Sequence, residues 1–415
     1  MSLFQDKIHL MSGNTEVENT GYAQIPTGAL GRDLAPATVV RPMLRAIDFF
    51  CGAGGMTHGL LAAGIDVLAG VDNHLPCKAT YEHQNNNRRP SGNPPRFIHA
   101  DISTLDPFEF AASIQVERSD DSLIFAGCSP CQFWSKVNTS RERSAKSKAL
   151  LEHFRRFVDA LRPGYIIVEN VPGLQTRSDT SGLAAFLRFL DGASYTYDHE
   201  TVAVCLYGVP QKRWRYLLLA TRVSPSGIEP AISLPEPEAK AAGSFPENMK
   251  VKYYLGKQNG FQAIQAGFRC EEPPLHWAAK LSDSNLQRIR KTPSNGGSRA
   301  TWSKDPELQI EAYRGKDDIF RDVYGRMSWD EPAPTITTRF NSLSNGRFGH
   351  PDEHRAISLR EGAILQTFPM GYVFPPNFPE TARQIGNAVP PELARRIGCR
   401  LTEHYRSIKA EGTLG

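Results

Sequence analysis

The stretch LRAIDFFCGAGGMTHGLLAAGIDVLAGVD, residues 44–72, decides the fold. An apolar run, Leu44–Phe50, meets a glycine-rich turn at Gly52-Ala53-Gly54-Gly55 and passes into a helix-like stretch near Met56–Ala63. A second run, Asp66–Val71, then ends at Asp72. Strand, glycine turn, helix and strand form the unit from which parallel sheets are built. Glycines let the backbone approach a ligand closely, and a helix N-terminus favours negative charge. A dinucleotide fingerprint would need glycine where Thr57 stands, and taken alone the turn also reads as a structural tight turn. Asp72 suits a ribose diol, so the segment points to an adenosine-containing cofactor.

The alternation continues outward. A helix-like stretch covers Pro76–His83, and Asn85-Asn86-Asn87 reads as a polar loop. Phe97–Ala100 ends at Asp101, followed by Ile102. Leu123–Ala126 leads to Cys128-Ser129-Pro130-Cys131, with a helix around Ala149–Leu161, and Tyr165–Val168 ends at Glu169. This predicts an α/β fold with a doubly wound, mostly parallel sheet. In such sheets ligands sit beyond the carboxyl ends of the strands, and Gly52, Asp72, Asp101, Cys131 and Glu169 all fall there. Val202–Tyr207 and Trp214–Thr221 flank Gly208–Arg213 and read as an antiparallel pair closing the sheet. Helix-like patterning resumes at Arg355–Phe368 and Arg383–Leu401. The expected division is a loosely ordered extension at 1–43, a catalytic domain at 44–221, a smaller irregular domain at 222–330, a return segment at 331–405 and a tail at 406–415.

Composition narrows the class. At 415 residues, with 40% hydrophobic and 22% charged residues, the chain has material for two globular domains. A net charge of +4 permits a nucleic-acid partner without demanding one. Seven cysteines in this length make no disulfide framework and fit a reducing, intracellular compartment. No secretory signal and no membrane-spanning run is visible.

Cys128 and Cys131 form a C-x-x-C pair. Zinc would need a second pair, and the other cysteines are scattered singly, so no metal is expected. A strand-to-helix turn can lower the pKa of Cys131, and Pro130 fixes the approach of the chain. A glutamate at the end of the neighbouring strand, Glu169, could donate a proton to an electron-poor ring while a thiolate adds to it. Cys128 and Cys131 also have a spacing at which a disulfide can close, which would block the nucleophile; a buried Cys128 with no such role is the simpler reading.

Six segments in this order resemble the DNA (cytosine-5)-methyltransferases. They are Asp48–Gly55, Pro130-Cys131-Gln132 with Ser135, Glu169-Asn170-Val171, Gln211–Arg215, Arg360–Pro369 and Gln384–Pro390. The resemblance implies a Rossmann-like catalytic domain using S-adenosyl-L-methionine, with a target-recognition domain at 222–330 and double-stranded DNA between the two. It implies that Cys131 adds to C6 of a flipped-out cytosine, that Glu169 contacts N3 and the exocyclic amine, and that Arg213 and Arg215 position the base. Phe50 would face the adenosine, the Gly52, Gly54 and Gly55 backbone the methionine end, Asp72 the ribose, and Asp101 with Ile102 the adenine. Pro130, Asn387 and Val389 complete the implied cofactor contacts. Ser129, Trp134 and Asp72 depart from the commonest residues of the family, which touches fine placement and no reacting group. A monomer suffices for this chemistry, and a restriction endonuclease acting on the same site accompanies many bacterial relatives. An RNA methyltransferase of the same fold, a silent DNA-binding protein and a C-x-x-C oxidoreductase are the alternatives.

In the irregular domain, Lys280, Arg288, Arg290, Lys291, Arg299 and Lys304 cluster with only Asp283 among them, near Trp277 and Trp302. Beside Ser294–Ser298 they suit DNA phosphates; a solvated basic surface is the plainer reading.

Overall fold

The computed structural model of the protein describes residues 44–128, 141–223, 232–238, 245–315 and 320–410, and for 141–148 the backbone alone. The extension expected at 1–43 and the Pro130-Cys131 segment lie outside the described residues.

Seven strands form the main sheet: β1 (Arg45–Phe49), β2 (Asp66–Asp72), β3 (Arg96–His99), β4 (Leu123–Gly127), β5 (Tyr165–Asn170), β6 (Thr196–Ala203) and β7 (Trp214–Thr221). Their order is β3-β2-β1-β4-β5-β7-β6. The first five are mutually parallel, while β7 runs antiparallel to both β5 and β6. β4 and β5 are buried along their whole length, which is why they read as continuous apolar runs rather than alternating ones.

Alternate residues of β1 feed opposite faces. Ala46 packs with Met56, Leu60, Leu393 and Ile397, beneath α1 (Gly55–Ala62) and α8 (Pro391–Ala410). Ile47 and Phe49 pack on the other side with Phe110, Phe154, Phe157 and Phe186, from α2 (Pro107–Ser113), α3 (Arg141–Leu161) and α4 (Leu183–Gly192). Helices cover both faces, as the sequence predicts.

Three local expectations are corrected. Val202–Tyr207 is not one strand: β6 starts earlier, at Thr196, and Val204–Tyr207 is a 3-10 turn. The pattern at Arg383–Leu401 is two helices, α7 (Phe378–Asn387) and α8, separated where Pro390 removes a backbone donor; α8 then runs to Ala410, into the expected tail. The asparagine cluster is no simple polar loop. Asn86 and Asn87 are buried, and the Asn86 amide donates to Thr80 O (2.8 Å) and Val373 O (2.7 Å) while its carbonyl accepts from Val373 N (2.7 Å). That clamp ties the return segment to the region after β2.

Between β7 and α7 the described chain is largely irregular, carrying the helix α5 (Asp283–Lys291) and, in the return segment, the shorter α6 (Leu359–Leu365). A separate small core gathers Ile289, Trp302, Leu308, Val323, Tyr324, Leu343 and Ala356.

Candidate active site

The strand order reverses between β1 and β4, and the loops leaving such neighbours part to leave a crevice. After β1 the chain turns sharply. The N–H groups of Phe50 and Cys51 both donate to Val71 O (2.7 and 3.2 Å), and Phe50 takes φ 62°, a region costly for a residue with a side chain. Gly52 follows at φ 51°, and its N–H donates to Asp72 Oδ2 at 2.9 Å. The other Asp72 oxygen accepts from His74 N at 2.7 Å. Asp72 is thereby oriented, with lone pairs left for a ligand.

The three glycines of the turn differ in purpose. A side chain on Gly52 would meet nothing within 4 Å, so the backbone there borders open space. On Gly55 a Cβ would lie 2.2 Å from Val389 O, and on Gly54 2.6 Å from the Asn87 amide. Gly54 and Gly55 therefore allow the return segment to close against the turn.

β5 and β7 carry the polar wall. Glu169, next to last in β5, pairs across the ladder with Leu217, and Arg215 enters β7 from the Gln211–Arg215 segment. Arg215 Nε lies 2.7 Å from Glu169 Oε1, with both side chains under a tenth exposed. The contact is close without being a straight hydrogen bond, so it is chiefly a charge contact. Arg213 is held by carbonyls: Nη1 donates to Ile336 O (3.1 Å) and to Gln366 Oε1 (3.3 Å). Gln366 is itself fixed by Gln211 Nε2 (2.8 Å).

These groups meet in one cleft, open to solvent. Of the residues expected from sequence, Phe50, Gly52, Asp72, Glu169, Arg213, Arg215, Asn387 and Val389 line it. Gly54, Gly55, Asp101 and Ile102 do not. Asp101 lies just past β3, where Ala100 N donates to Asp72 O (3.2 Å), and it accepts from Ser103 N (2.8 Å). Those Ser103 hydrogen bonds hold the Asp101 carboxyl below its ordinary range. Cys131 and Pro130 lie outside the described residues, but Cys128 at the end of β4 lines the cleft. Three further residues of chain span at most ~10 Å.

Sequence reasoning assigned no role to Asp48, Cys77, Arg383 or Gln384, which also line the cleft. Asp48 is fully buried; burial pushes its carboxyl up to about 7, opposed by the hydroxyl and N–H of Thr57. Its Oδ1 has no hydrogen-bond partner. An acid in the middle of an apolar strand was the available signal. His74, Cys77 and Glu380 bring ligand atoms within 4.8 Å of one another. Arg383 donates to His74 Nδ1 (2.8 Å) and pairs with Glu380 (3.0 Å), so a cation already serves that cluster.

The basic cluster divides. Arg288 donates to Leu308 O (2.8 Å) and lies over Trp302, and Arg299 is buried beside Tyr313; neither faces outward as a phosphate contact requires. Lys280, Arg290, Lys291 and Lys304 are exposed. Among the described residues, no helix is long and apolar enough to cross a membrane.

The family model described as C-5 cytosine-specific DNA methylase matches residues 44–403. The chain is 38% identical over 357 residues to the Type II methylase M.HgiDII of Herpetosiphon aurantiacus, covering 85% of this chain and 93% of that protein. It is 26% identical to the Type II methyltransferase M.AgeI of Thalassovita gelatinovora, covering 85% and 98%. The fold is similar to that of the S. pombe Dnmt2 methyltransferase, with a TM-score of 0.55 at 15% identity over 88% of this chain and 99% of the other.

Proposed function

We propose that this chain, which belongs to the C-5 cytosine-specific DNA methylase family, methylates C5 of a cytosine turned out of duplex DNA, using S-adenosyl-L-methionine and a covalent adduct between Cys131 and C6. The observation carrying this reading is a single cleft in which the Glu169–Arg215 pair and Arg213 face the turn after β1 and Asp72.

The cleft suits the cofactor. Asp48 Oδ1 is buried without a hydrogen-bond partner, and the backbone at Gly52 borders open space. Asp72 would accept from the ribose hydroxyls, Phe50 would cover the adenosine, and Asp101 with Ile102 would bound the adenine. Gly52 and Asp48 would lie toward the methionine end, with Asn387 and Val389 behind. When bound, the cofactor supplies an electrophilic methyl carbon.

The rest is done by the chain. The Cys131 thiolate adds to C6, and the electron pair displaced from the C5–C6 bond makes C5 nucleophilic. Glu169, carrying a proton when the base is bound, passes it to N3 as electron density builds there, leaving a carboxylate that Arg215 stabilises, and takes the proton back as the thiolate is expelled. Once C5 carries the methyl group, its proton leaves to water, the C6–S bond breaks and the thiolate returns. Extrusion of the base is required because a duplex hides C5 and C6 in the stack.

The Type II names of the relatives support a short specific target, with a restriction endonuclease of the same specificity as partner. We assign base reading to 222–330, and a monomer acting at intracellular DNA suffices. The test is bisulfite sequencing of DNA from a methylation-free host expressing the chain or Cys131→Ser. Protection of one short motif, lost in the variant, is expected. Unprotected DNA from folded, cofactor-binding protein would overturn the reading.

A further inference from the structure

A short two-stranded hairpin lies in the irregular region. Arg269–Cys270 pair antiparallel with His276–Trp277, in the register Arg269↔Trp277. The Arg269 guanidinium lies over the Trp277 ring, 4.0 Å from its centroid. Phe268 beside it is 53% exposed, and the Arg269 side chain is 59% exposed. Its carboxylate neighbour is Glu271, at 3.6 Å and 84% exposed. A pair so open to water is worth little and separates readily.

The turn of the hairpin is held by the body of the protein, while the Arg269–Trp277 pair at its open end faces solvent. His276 is buried; its Nε2 donates to Gln262 O (2.8 Å), so its Nδ1 accepts from the Ser358 hydroxyl (2.8 Å). Arg360 donates through Nε to Pro274 O (2.8 Å) and through its backbone N–H to Leu275 O (3.0 Å). Ser358 and Arg360 begin α6, whose far end presents Gln366 to Arg213. From Ser358 to Gln366 the helix rises roughly 12 Å, the length of about three or four base-pair steps. One rigid element thus connects the hairpin to the wall of the catalytic cleft.

We infer that this hairpin reads the target sequence, with Arg269, pre-ordered on Trp277, donating to the edge of a guanine a few steps from the modified cytosine. The inference rests on the DNA-methyltransferase reading. An exposed arginine able to make bidentate contacts is the commonest reader of guanine in the major groove. Stacking on the indole holds the guanidinium plane and reduces the ordering cost of binding.

The experiment uses the full chain, Arg269→Ala and Arg269→Lys, each shown to melt with the wild type. Every protein methylates a duplex library randomised around the target, read by bisulfite sequencing, and salt-dependent binding of the wild-type target duplex is followed by anisotropy. Both variants are expected to lose discrimination at one base pair by roughly 5- to 150-fold, with the lysine variant keeping the salt slope of binding. Full discrimination in Arg269→Ala would overturn the proposal. So would full discrimination in Arg269→Lys, since a point charge then suffices and neither the stacking on Trp277 nor the bidentate fork matters. A wild-type chain that methylates no duplex would overturn the parent reading itself, and this one with it.

Discussion

Arg215 Nε and Glu169 Oε1 stand 2.7 Å apart, with side-chain exposures of 8% and 6%, at the meeting of an antiparallel and a parallel strand. Two charges removed from water depend on each other, and removing one partner costs about 3–5 kcal/mol. Glu169→Gln should therefore lose stability as well as activity, and so should Arg215→Gln. The double variant Glu169→Gln/Arg215→Gln should regain much of the melting temperature and none of the turnover. A fall in kcat of about 10²- to 10⁴-fold is expected for loss of the acid. Thermal melts beside methyl-transfer kinetics check this; equal stability of the three proteins would show that the pair is not interdependent.

The glycines after β1 should separate cofactor binding from folding. An alanine at Gly52 has room but inherits φ 51°, a strain of about 1–2 kcal/mol, and its methyl would enter the cleft. An alanine at Gly55 would press within 2.2 Å of Val389 O and push α1 away from the segment before α8. Gly52→Ala should weaken S-adenosyl-L-methionine binding at least tenfold with a modest drop in melting temperature. Gly55→Ala should lower the melting temperature much further. Calorimetric titration beside thermal melts decides, and the reverse order would contradict the assignment of the open face.

Arg156 ties α3 to the loop that follows β3. It sits on α3, which begins directly after residues 129–140, and its Nη2 donates to Ile102 O and Leu105 O, both at 2.8 Å. The loop it holds carries Asp101 and Ile102. Charge-assisted hydrogen bonds of this kind contribute roughly 1.5–3 kcal/mol. Arg156→Ala should raise the KM for the cofactor about tenfold or more with little change in kcat, and Arg156→Lys should restore part of it. A change in kcat alone would place Arg156 elsewhere in the reaction.

The parallel half of the sheet was legible because its buried strands are short apolar runs, each ending at a turn or an acid. Asp72 and Glu169 followed from that placement alone. Asp48 escaped a role because its neighbours Ile47 and Phe49 dominate the reading of β1, and only the structure shows Oδ1 without a partner. From the turn alone Gly54 and Gly55 read as ligand glycines; that a Cβ on either would also meet Asn87 or Val389, from distant segments, no local pattern reveals. Arg288 and Arg299 joined the basic cluster by proximity in sequence; the fold sets Arg288 over Trp302 and on the Leu308 carbonyl, and Arg299 over Tyr313.

The return segment should set the acid limit of stability. Glu361 is fully buried, and burial alone would push its carboxyl up. Arg355, with Nη1 at 2.7 Å and Nη2 at 2.9 Å, outweighs that and holds it far below the ordinary carboxylate range. The stabilisation is fully present above the unfolded value near 4.5 and is lost as pH falls toward the depressed folded value. His350 adds to the same slope: burial lowers its imidazole from 6.5 to about 4, opposed chiefly by the Glu361 charge. Between those values the unfolded chain binds a proton that the folded chain refuses, so stability falls with pH there as well, by roughly 3 kcal/mol in all. Melting temperature should therefore decline steadily from pH 7 to pH 4.5. In His350→Gln the decline between pH 6.5 and 5 should flatten, while Glu361→Gln should be less stable already at pH 7 because buried Arg355 keeps, among the described residues, only Glu353, on its Nε, as a carboxylate partner. A wild-type melting temperature that holds level down to pH 5, or an undiminished slope in His350→Gln, would show that the imidazole is not kept neutral by its burial.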